Sequence, residues 1–75
     1  MTPSAAEVKF TETSDDLVAQ IRPILAGKGP LLQGSVIADL FAIWLSGHPR
    51  NMQADMLKLQ IDHIQRLTAM YRERH

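Results

Sequence analysis

The stretch Pro30-Leu31-Leu32-Gln33-Gly34-Ser35-Val36-Ile37-Ala38-Asp39-Leu40-Phe41-Ala42-Ile43-Trp44-Leu45-Ser46 decides how the chain folds. It opens on Gly29-Pro30 and closes on Gly47-His48-Pro49. Proline suits the first helical position, because its missing N–H is one the helix leaves unpaired anyway. Glycine suits a left-handed C-cap, and a proline just beyond it stops continuation. The segment is therefore a helix over about residues 30–46. Its apolar residues cover an arc of roughly 260°, far wider than the ~100° stripe of a surface helix. Only Ser35, Asp39 and Ser46 form a polar wedge, with Gln33 isolated.

Upstream, Thr13 and Ser14 are good N-caps, and Asp15 and Asp16 would then suit the positive end of a helix dipole. Leu17, Val18, Ile21, Ile24 and Leu25 fall in an arc of about 120°, an ordinary amphipathic face. The expected helix covers residues 14–27. Pro23 should kink or break it, since it removes a hydrogen bond and disfavours helical geometry at Arg22. Residues 1–12, with Val8 and Phe10 alternating about Lys9, read as a flexible or extended arm.

Downstream, Asn51 is a candidate N-cap for a third helix over about residues 51–73. Met52, Met56, Leu59, Leu67 and Met70 make one apolar seam, and Leu57, Ile61, Ile64 and Tyr71 a second. The short connections favour antiparallel neighbours. The expected fold is all-α, a three-helix up-down-up arrangement in residues 13–75, preceded by the arm.

Length and composition then bound the function. Scaling laws give a chain of 75 residues only about 62% burial of its unfolded surface. Domains this small usually need a staple, and without cysteine neither a disulfide nor a thiolate metal site can supply it. Oligomerisation remains. Two neighbours cannot cover the whole apolar arc of the second helix, and an open patch of that kind marks an interaction site. A homodimer is expected, with a tetramer as the next order. Its interface should use Val36, Ile37, Leu40, Phe41, Trp44, Met52, Met56 and Leu67. Trp44 and Phe41 are residue types that anchor interface centres.

Asp39 lies among apolar neighbours and His63 on the methionine seam, so the two form a candidate polar interface pair. Eight basic residues balance eight acidic ones, which disfavours a nucleic-acid binder. The contact available to such a binder would be the basic end, Arg66, Arg72 and Arg74. His48, His63 and His75 lack zinc-ligand spacing, and no nucleophile elbow or phosphate loop is present. No catalytic, cofactor or metal residue is assigned. Residues 1–10 hold no apolar run, and the longest apolar stretch is interrupted and short for a span. A cytoplasmic protein with no membrane association is expected. Its function reads as a non-enzymatic interaction or regulatory module with an unidentified protein partner. The alternatives are a nucleic-acid-associated regulator, and a small ligand-binding or enzymatic subunit with a site near the dimer interface.

Overall fold

A computed structural model describes residues 2–74 as three α-helices. They are α1 (Ala5–Leu25), α2 (Pro30–Ser46) and α3 (Arg50–Glu73). The chain divides into two compact units, Met1–Gly34 and Ser35–His75. The expected arm began at Met1 and the expected domain ended at His75, and both of those residues lie outside the described ones.

The first unit holds α1, the turn after it and the first turn of α2. No extended arm occupies residues 5–12, which are helical. Ser4 is the N-cap: its Oγ accepts the Glu7 N–H at 3.1 Å. This is the Ser-x-x-Glu spacing of a capping box, and it sets the start ten residues before Ser14. Thr13 therefore caps nothing. Its hydroxyl donates back to the Lys9 carbonyl at 2.9 Å, as that of Thr11 does to Glu7 at 3.0 Å. This back-bonding lets a threonine sit inside a helix. Nor does Pro23 break α1, which runs through it and ends two residues later. A proline in the last turn forfeits one hydrogen bond but leaves little helix beyond it to disrupt.

The α1–α2 turn is made by backbone. Ala26 N–H donates to the Arg22 carbonyl at 3.0 Å and Lys28 N–H to Leu25 at 3.2 Å. Gly27 is left-handed at φ 78°, a conformation costing other residues about 1–2 kcal/mol. Gln33 is not isolated: its side-chain amide reaches back across the turn and donates to the Leu25 carbonyl at 2.9 Å.

The second unit is a helical hairpin. The turn at residues 47–49 folds α3 back so that Gln60 lies beside Ile37, Leu40, Phe41 and Trp44. The less exposed positions of α3 are Gln53, Met56, Gln60 and Met70, and those of the part of α2 in this unit are Phe41 and Leu45. Spacings of three and four are those of helices packed at a small crossing angle. Two glutamines thus sit in the packed seam. Leu57, Ile61 and Ile64 stay 40%, 48% and 48% exposed.

Two local expectations are corrected here. Gly47 is not left-handed, because Gly27 is the one positive-φ glycine among the described residues. Instead Gly47 N–H donates to Trp44 and His48 N–H to Leu45. These are i→i+3 bonds that tighten a helix end without a left-handed residue. Asn51 is not the cap of α3 either. The N-cap is Pro49, which offers no side-chain bond, so Asn51 falls within the first turn.

Candidate functional site

The second unit carries an open apolar cleft of about 360 Å³ lined by Ile37, Leu40, Phe41, Trp44 and Gln60. The first four share one side of α2 because their spacings are three and four residues. Ile37, Leu40 and Trp44 remain 55%, 56% and 41% exposed. Among the described residues no side chain is fully buried, so this lining is surface. Gln60 is its one polar side chain.

The indole of Trp44 is held from two sides. Phe41 meets it edge-on with ring centroids 5.7 Å apart. His48 meets it at 4.6 Å and 60°. The imidazole also donates: Nδ1–H bonds the Trp44 carbonyl at 2.8 Å, since a carbonyl can only accept. Gln53 closes the same turn from α3 by donating its side-chain amide to the His48 carbonyl at 3.1 Å. Packing and hydrogen bonds together fix the wall of the cleft, a pre-organisation that lowers the ordering cost of binding.

The residues expected at an interface separate into two groups. Ile37, Leu40, Phe41 and Trp44 converge on the cleft, whereas Val36, Met52, Met56 and Leu67 do not line it. Met56 is half-covered within the hairpin. Val36 and Leu67 are each 36% exposed and Met52 47%. Gln60 and His48 were not singled out by hydropathy. Gln60 could have been found from the spacing of three and four that it shares with Gln53 and Met56. Asp39 and His63 are both exposed, and no hydrogen bond or ion pair joins them among the described residues.

At the basic end, Arg66 pairs with Asp62 at 2.9 Å, and the Arg74 guanidinium lies over the Tyr71 ring at 5.8 Å. Two of the three arginines are thus engaged on their own helix. The described residues contain no group of three or more potential ligands able to hold a metal ion. No described helix is long and apolar enough to cross a membrane.

Comparison with protein-family models, curated proteins and solved structures gave no match. The functional reading therefore rests on this geometry. An apolar, aromatic, pre-formed surface of this kind can bury another apolar surface.

Proposed function

We propose that this chain is a small non-enzymatic interaction module. It pairs with a second copy through the exposed face of α2 and holds another protein on the apolar helical surface that remains. The observation carrying this reading is the apolar cleft of Ile37, Leu40, Phe41 and Trp44, in which Ile37 and Leu40 stand more than half exposed beside a fixed indole. Trp is the residue type most enriched at energetic centres of interfaces. A twofold pair in which the same patch meets itself is the commonest closed assembly. A two-helix hairpin of this size is also marginal alone.

Absolute mass by light scattering across dilution tests the pairing. The wild-type chain should run at twice its 8.4 kDa mass, and Leu40→Glu should run as a folded single chain. A wild-type chain that stays single at every concentration rules the pairing out.

A further inference from the structure

We propose that Gln60 marks the twofold axis of the self-associated form, where its side-chain amide pairs with the same amide of the second copy and fixes how the two chains meet. This inference rests on the self-association proposed above. Three glutamines are partly covered among the described residues: Gln33, Gln53 and Gln60. Two are tied within their own chain, Gln33 to the Leu25 carbonyl and Gln53 to the His48 carbonyl. The Gln60 amide makes no such bond among the described residues. It stands instead in the apolar cleft beside Ile37, Leu40, Phe41 and Trp44.

While the cleft is open, water can serve that amide. An apolar cover would strip the water and leave a donor and an acceptor unpaired, which costs free energy. Whatever fills the cleft must therefore bring a matching donor and acceptor. A primary amide is its own complement, since it carries both N–H and C=O. Two copies related by a twofold axis through Gln60 exchange two hydrogen bonds and leave neither amide orphaned. A single polar residue in an otherwise apolar interface then sets register and the number of chains.

The size of the face also points to a second copy. Val36, Ile37, Leu40, Ile43 and Trp44 lie within an arc of about 120° on α2, and all are at least 36% exposed. Together they offer roughly 500 Å² of apolar surface, and one side of an ordinary homodimer interface gives ~800 Å² in total at about 65% apolar. The same patch meeting itself fills that area without a further component. No side chain of the hairpin is fully buried among the described residues, and the chain has no cysteine to staple it. Association is the means left for so small a unit to complete a core.

The test places charges at the axis of the full-length chain. Gln60→Glu alone sets two carboxylates against each other, and Gln60→Lys alone two ammonium groups. Each should weaken self-association at least about tenfold. Mixed in equal amounts, the two should form a one-to-one pair, because opposite charges then face each other. Light scattering at low salt reads all three samples, and circular dichroism checks that each variant is helical. Gln60→Leu keeps the hairpin neutral should a charge there unfold it; it should still self-associate, but into more than one size. Charged variants that pair with themselves as tightly as wild type overturn the axis and leave the self-association reading standing. So does a helical mixture that stays dissociated, or Gln60→Leu running as the same single species as wild type. A wild-type chain that is single at all concentrations overturns both.

Discussion

At the α1–α2 joint the chain turns on a glycine; at the α2–α3 joint it turns on a pair of rings packed edge to face. The first turn relies on backbone, with a left-handed Gly27 and carbonyls closed by Ala26 and Lys28 N–H groups. The second uses no left-handed residue. There the last carbonyls of α2 are closed by Gly47, by His48 and by the His48 imidazole, which packs on Trp44. Both joints share one device, a glutamine early in the following helix whose amide reaches back to a carbonyl. The difference teaches that a turn can take its geometry from local conformational freedom or from side-chain packing. Only the second kind shapes a surface at the same time, since the Trp44 indole on which the His48 ring packs also walls the cleft.

The sharpest way to break this contrast is Trp44→Ala. It removes both ring contacts and should cost the hairpin about 2–3 kcal/mol, less than a fully buried aromatic because the indole is 41% exposed. Urea unfolding followed by circular dichroism reads the midpoint, and an unchanged midpoint would show that the rings do not hold the second turn.

Next in size is the pair Gly27→Ala and Gly47→Ala. The first forces an L-residue into the left-handed region and should cost about 1–2 kcal/mol. At Gly47 a Cβ would meet only ordinary contacts, the nearest being the Trp44 carbonyl oxygen at 3.4 Å. There the change should stay within about 0.5 kcal/mol. Equal effects on thermal unfolding would erase the distinction between the two turns.

Smallest are the glutamine ties. Gln33→Ala and Gln53→Ala should each cost about 0.5–1.5 kcal/mol, the worth of one hydrogen bond. Gln33 should be the larger, because no ring packing supports its joint. Amide hydrogen exchange in the turn residues would show it, and a silent Gln33 would mean that the backbone bonds suffice.

Much of the fold was legible where punctuation is strong. Gly29-Pro30 and Pro49 fix both ends of α2 in sequence and structure alike. The start of α1 is less legible, because the alternation of Val8 and Phe10 mimics a strand while the cap rests on the spacing of three between Ser4 and Glu7. At Gly47 the expected left-handed cap is absent, because any glycine after a helix can be left-handed and only the bonds made around it decide. In the candidate site, hydropathy pointed to Ile37, Leu40, Phe41 and Trp44, since apolar residues at helical spacing share a face whatever packs beside them. It could not place Gln60 or Gln53. Which α3 residues meet α2 depends on how the hairpin is rotated, and that rotation put two amides into a seam where methionine and leucine were expected.

The ring cluster at the second turn has an optical consequence. Trp44 is the sole tryptophan of the chain, and its indole is fixed in a chiral setting between Phe41 and His48. Tyr71 lies in the same unit, and the one aromatic residue of the first unit is Phe10. Near-ultraviolet dichroism in the tryptophan and tyrosine bands is thus a signal from the hairpin alone, whereas the far-ultraviolet signal sums all three helices. The two spectra recorded on one sample would separate the melting of the hairpin from the fraying of α1, with no label attached.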